Sequence, residues 1–114
     1  MKTVTIGVLL LWPLAVLAHA HLEQAVPADG SVLGNAPAQF ELQFSEAAHL
    51  TALSLYRQGD SQPQKITPLP DSATARFSVP APPLRPGAYE LRYRLVSADG
   101  HVMSGAVHFR ISAP

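Results

Sequence analysis

The sequence predicts an all-β fold, an antiparallel β-sandwich of about seven short strands, and three observations carry the prediction. Apolar and polar residues alternate with a period of two in run after run, the pattern of strands with one buried face. Helical periodicity is weak. Between the runs lie segments dense in Pro, Gly, Asn and Asp, the residues that turns demand.

Taken in order, His21 begins the first strand, and turn formers punctuate the chain beyond it at Pro27 to Gly30 and again at Asn35 to Pro37. Phe40, Leu42 and Phe44 alternate with Glu41 and Gln43, and further on Leu53 and Leu55 flank Ser54. Gly59 to Pro63 and Pro68 to Asp71 mark the next turns, after which Phe77 and Val79 flank Ser78. The clearest strand sets Tyr89, Leu91, Tyr93 and Leu95 against Glu90, Arg92 and Arg94; Val107, Phe109 and Ile111 against His108 and Arg110 close the series. The approach to that clearest strand, Leu84-Arg85-Pro86-Gly87-Ala88-Tyr89, has the form of the tyrosine corner of Greek-key sandwiches. A half-buried strand aromatic is the simpler alternative for Tyr89.

Residues 1–20 read as a signal peptide and take no part in the fold. Lys2 supplies a positive start, Val4 to Val16 is almost wholly apolar, and Ala18 and Ala20 occupy the small-residue positions before a cut. A transmembrane helix needs roughly 20 apolar residues, and Pro13 and His19 interrupt this run. The domain is then 21–114, exported, and not itself membrane-spanning once the leader is gone. Its size suits a single core. Removing Lys2 from the eight basic residues leaves seven against eight acidic ones. That balance argues against a nucleic-acid partner, which needs a clustered basic excess. The absence of cysteine excludes a disulfide framework and any thiolate metal site.

The cut itself creates chemistry. Cleavage after Ala20 gives His21 a free α-amino group, and an N-terminal histidine grips a metal with its amine and its ring Nδ1 together. A cut after Ala18 would instead expose His19 and place His21 third, where an amine, two deprotonated amides and the imidazole form a different square-planar copper site. Ser97-Ala98-Asp99-Gly100-His101 is the tight connection after the long strand. Asp99 and His101 are two apart, so in extended geometry both side chains leave one face, and a sandwich can bring the N-terminus alongside. Two nitrogens from His21, one from His101 and an oxygen from Asp99 make a tetragonal N,O site, the preference of Cu(II).

These residues resemble those of the CopC-type periplasmic copper-resistance proteins. The likeness rests on His21-Leu22, Pro27-Ala28-Asp29-Gly30-Ser31, Phe44-Ser45-Glu46, Leu84 to Tyr89, Val96 to His101, and Ser104-Gly105. The resemblance implies a cupredoxin-like or immunoglobulin-like Greek-key β-barrel that binds one Cu(II) ion in the periplasm, as a homeostasis or resistance protein and not an enzyme. It implies His21, His101 and Asp99 as copper ligands, with Glu46 as a weaker fourth, and a CopD-type inner-membrane copper importer as partner. One departure stands out. Some family members carry a methionine-rich stretch for Cu(I), whereas residues 47–75 here contain no methionine, so the soft ligands that select Cu(I) are missing.

Other readings compete. Lytic polysaccharide monooxygenases also use an N-terminal histidine brace on a β-sandwich, but Trp12 leaves with the leader and no tryptophan remains to build a flat sugar platform. A metal-free interaction module is the third reading. No nucleophile and base pair suggests a hydrolase, and Ser97 and Ser104 read most simply as turn residues. His49 reads as an exposed loop histidine or an auxiliary ligand, Met103 as a core gap-filler, and His108 as facing water. Arg92, Arg94 and Arg110 share an outer face.

Overall fold

The computed structural model describes residues 3, 7 and 20–113; most of the predicted leader lies outside the described residues. Those residues form seven strands and no helix: β1 (Leu22–Val26), β2 (Ser31–Leu33), β3 (Gln39–Arg57), β4 (Gln64–Lys65), β5 (Thr74–Pro80), β6 (Gly87–Ser97) and β7 (Val102–Ile111). Along the main path of the sheet the order is β1-β3-β6-β7-β2, with β4 and β5 also paired to β3. The all-β expectation holds, and the single sheet curls around one core. That core comprises Phe40, Leu42, Phe44, Leu50, Leu53, Leu55, Phe77, Val79, Tyr89, Leu91, Leu95, Val107, Phe109 and Ile111 among others. Each such side chain, fully withdrawn from water, contributes about 1.5–3 kcal/mol before the entropy of ordering is counted.

The two apolar runs at Phe40 to Phe44 and Leu53 to Leu55 belong to one strand of 19 residues. Their phases differ, even positions inward in the first and odd in the second, because the ladder to β6 slips by one residue between Leu50 and Ala52. An extra residue in one strand of a pair is a β-bulge, and it turns every later side chain over. Thr51 occupies the bulge and its hydroxyl donates to the Arg94 carbonyl at 3.2 Å.

A second irregularity decides where the ends of the sheet meet. Leu42 pairs with Ala25 on one edge and Phe77 on the other, while Ala48 pairs with Thr74 on one edge and Ser97 on the other. Since β5 lies along one edge of β3 from Gln39 to Ala48, β1 and β6 must follow each other along the opposite edge. Between them β3 advances from Gln43 to Ala48 while β5 retreats only from Arg76 to Thr74, so residues 44–47 bow out of the ladder to β5, while Phe44 still pairs with Leu22 of β1.

The tyrosine corner forms. The Tyr89 hydroxyl donates to the Arg85 carbonyl at 2.5 Å, and its ring stacks on Phe109 with centroids 5.2 Å apart. The turn before β2 is fastened to β7: Gly30, at φ +81°, donates to the His108 carbonyl at 2.6 Å, and Asp29 accepts the His108 N–H at 2.8 Å.

Candidate metal centre

His21 precedes β1 and is held from both sides by one residue. Its backbone nitrogen donates to Ser45 Oγ at 3.0 Å, and its carbonyl accepts the Ser45 N–H at 2.9 Å. The pairing Leu22 to Phe44 continues this ladder into β1. Ser45 thus fixes the backbone nitrogen that cleavage after Ala20 would turn into an amine. The His21 side chain is exposed.

Facing it along the same edge of β3 is the end of β6, where Ser97 pairs with Ala48. Only three steps of β3 separate Ser45 from Ala48, about 10 Å in extended chain and less where the strand bows. Glu46 lies on that bowed stretch, exposed, between the two ends. The sheet therefore brings His21, Glu46 and the β6 to β7 connection to one end of the molecule.

The connection is a tight hairpin. Gly100 N–H donates to the Ser97 carbonyl and Ser97 N–H to the His101 carbonyl, both at 2.9 Å, with Gly100 at φ +85°. A turn closed by a left-handed glycine is the standard three-residue hairpin solution, and glycine takes that φ without strain. Asp99 and His101 meet because the turn folds them together, not because they share a face of an extended strand as their spacing suggested. His101 Nδ1 stands 2.9 Å from Asp99 Oδ2. A proton on Nδ1 is held between ring and carboxylate, which assigns the lone pair to Nε2, the arrangement that prepares a histidine for a metal. The ring is accessible, at 55% exposure.

Ser97 completes the turn from beneath. Its hydroxyl donates to Asp99 Oδ1 and accepts the His101 N–H at 3.2 Å. Above all the bond from Ser97, with the His101 N–H and ring adding to it, holds the Asp99 carboxyl below the ordinary carboxylate range. Asp99 is thus an anion at any pH where a histidine can bind a metal. Among the described residues no three His, Asp or Glu side chains stand together as a ready metal cage. The site reads as two halves, one on each side of the bow in β3.

The remaining sequence expectations divide. His49 is exposed but lies within β3, opposite Val96, and not in a loop; Ala48 and Leu50 on either side point into the core, so strand alternation turns His49 outward. Met103 packs against the core as a gap-filler. His108 faces water as expected, and it is also tied to Asp29, a contact with no local signal in the sequence. Arg92, Arg94 and Arg110 are all exposed on the outer face, where Arg92 pairs with Glu90 and lies over the Tyr56 ring at 4.1 Å. Reading Ser97 as a simple turn residue missed its role. The signal was there: the phase of β6 that turns Tyr89, Leu91 and Leu95 inward turns Ser97 inward too.

Comparison with known proteins decides the family. The family model described as the CopC domain matches residues 22–112. The chain belongs to the CopC family. Copper resistance protein C of Pseudomonas syringae pv. tomato is 32% identical over 110 residues, covering 82% of this chain and 81% of that protein. PcoC of Escherichia coli, a methionine-rich copper-resistance protein, is similar in crystal structure with a TM-score of 0.59 at 30% identity, covering 83% of this chain and all of the other (100%). CopC from Methylosinus trichosporium OB3b reaches a TM-score of 0.70 at 20% identity, over 82% of this chain and 94% of that one, a likeness of fold. The CopC match begins at residue 22, one position after His21.

Proposed function

We propose that this chain binds one Cu(II) ion in the periplasm and serves copper homeostasis or resistance as a carrier, without catalysis. The observation that carries the reading is the placement of His21 and the Ser97 to His101 hairpin at adjoining positions on one edge of β3, in a chain of the CopC family. Cleavage after Ala20 makes the His21 nitrogen an amine, so amine and ring Nδ1 chelate the ion, His101 adds Nε2, and Asp99 supplies an oxygen. Glu46, on the bow between the two halves, is the weaker additional donor. Nitrogen and carboxylate donors in this number suit tetragonal Cu(II).

Copper must displace protons to bind. A free α-amine titrates near about pH 8 and a free imidazole near about 6.5, so affinity falls steeply in acid. The preference for Cu(II) over Cu(I) follows from the donors. PcoC is described as methionine-rich, whereas this chain has two methionines, Met1 and the core-packed Met103. Hand-off to a CopD-type inner-membrane importer is the destination that the family implies.

Titration of the chain beginning at His21 with Cu(II) and with Cu(I) tests this. The expected result is tight 1:1 Cu(II) binding and far weaker Cu(I) binding, with an electron paramagnetic resonance spectrum of a tetragonal, nitrogen-rich centre that His101→Ala alters. Equal affinity for both oxidation states, or a spectrum unchanged by His101→Ala, overturns it. Copper-dependent oxidation of polysaccharide above the level of free copper would favour the monooxygenase reading instead.

A further inference from the structure

We infer that Ser97 is a positioning residue of the copper site, one that holds Asp99 and His101 in place without touching the metal. The inference rests on the proposed role of His101 in receiving Cu(II). Ser97 is 4% exposed and is the buried polar residue of the described core. A polar group carried inward by the phase of a strand must find partners, and Ser97 finds them all in the hairpin. Its Oγ donates to Asp99 Oδ1 and lies 3.2 Å from both the nitrogen and the carbonyl oxygen of His101. Its backbone closes the turn through Gly100 and His101, at 2.9 Å each. The residue is itself anchored by pairing with buried Ala48.

The backbone and side-chain roles separate cleanly. Any residue at 97 could make the two backbone bonds, so an alanine there keeps the turn. Only a hydroxyl can hold the carboxylate from one side while His101 Nδ1 holds it from the other, 2.9 Å from Oδ2. Without that hydroxyl Asp99 Oδ1 loses its close donor, and the His101 N–H stands at a marginal 3.5 Å from Oδ1. Asp99 then loses one of its two fixed contacts, and with it the constraint that it places on the His101 ring. Burial keeps Ser97 itself out of reach of the ion. Groups that orient ligands in this way are worth about 10- to 100-fold in metal affinity.

The test compares the chain from His21 with its Ser97→Ala and Ser97→Thr variants by Cu(II) competition titration and electron paramagnetic resonance. Hydrogen exchange at the His101 amide is followed in the copper-free proteins. Ser97→Ala should weaken Cu(II) about 10- to 100-fold, shift the spectrum and speed exchange at His101, and Ser97→Thr should restore all three. Wild-type affinity and an unchanged spectrum in Ser97→Ala would overturn the inference while leaving the proposed function standing. Failure of the unsubstituted chain to bind Cu(II) would remove the function and this role together. Exchange at the His101 amide as fast as in an unstructured chain, measured on the unsubstituted protein, would overturn the inference whatever the variants do.

Discussion

Asp29 shows how much one carboxylate can fasten. It accepts the His108 N–H at 2.8 Å and faces the His108 ring nitrogen at 3.3 Å, joining the turn before β2 to a strand 79 residues away. The backbone bond from His108, then the ring, lowers the Asp29 pKa. A carboxyl whose folded pKa lies below its unfolded value of about 3.9 adds stability above that value, and loses it as pH falls through the lower folded value. Asp29→Asn should therefore melt below the unsubstituted protein at neutral pH, with the gap closing as thermal melts are carried into acid below about pH 3. A gap that stays constant with pH would contradict this. At this scale the sequence marked His21, Asp99 and His101 as candidates by residue type, and the structure sets His101 Nδ1 2.9 Å from Asp99 Oδ2. The sequence did not disclose Asp29 with His108, since nothing local links residues so far apart, and Ser97 was hidden by being a residue that turns use anyway.

Among the elements, β3 was the least legible and matters most to the site. Its two apolar runs are out of phase, so they read as separate strands until the bulge at Thr51 explains the change. The bow at residues 44–47 leaves no periodic trace, yet it carries Ser45 and Glu46 and opens the space between β1 and β6. By contrast β6 was legible almost residue by residue and β7 in its second half, Val107 to Ile111, whereas Ser104, read as a turn residue, lies within β7 opposite Arg94. Their pairing has one close approach. Gly105 stands opposite Tyr93, and a Cβ at Gly105 would come within 2.6 Å of Tyr93 Cζ. The Tyr93 ring is in turn packed edge-on to Phe44 at 5.2 Å, so it cannot swing away without disturbing the core. Gly105→Ala should cost about 1–3 kcal/mol, as overpacked sites do, measured by denaturant unfolding. A variant as stable as the parent would show that the ring moves freely.

For the whole molecule, topology does what no single element can. A chain whose first strand and sixth strand share one edge of β3 brings His21, just before β1, to a hairpin some eighty residues later, roughly 10 Å away along the strand. The sequence foretold the class of fold from alternation and turn spacing, and the family likeness implied that His21 and the hairpin at His101 share a site. The path by which they meet needed the pairing pattern.

The central claim is that the amine of His21 is itself a copper donor. The measurement that tests it most directly is the Cu(II) affinity of the chain beginning at His21 against the same chain acetylated at its α-nitrogen. Acetylation keeps every side chain and removes the amine donor and with it the pre-organised amine and ring chelate, so affinity should fall by about 100-fold or more, with one fewer nitrogen in the resonance spectrum. Equal affinity and an identical spectrum in the acetylated chain would contradict the account.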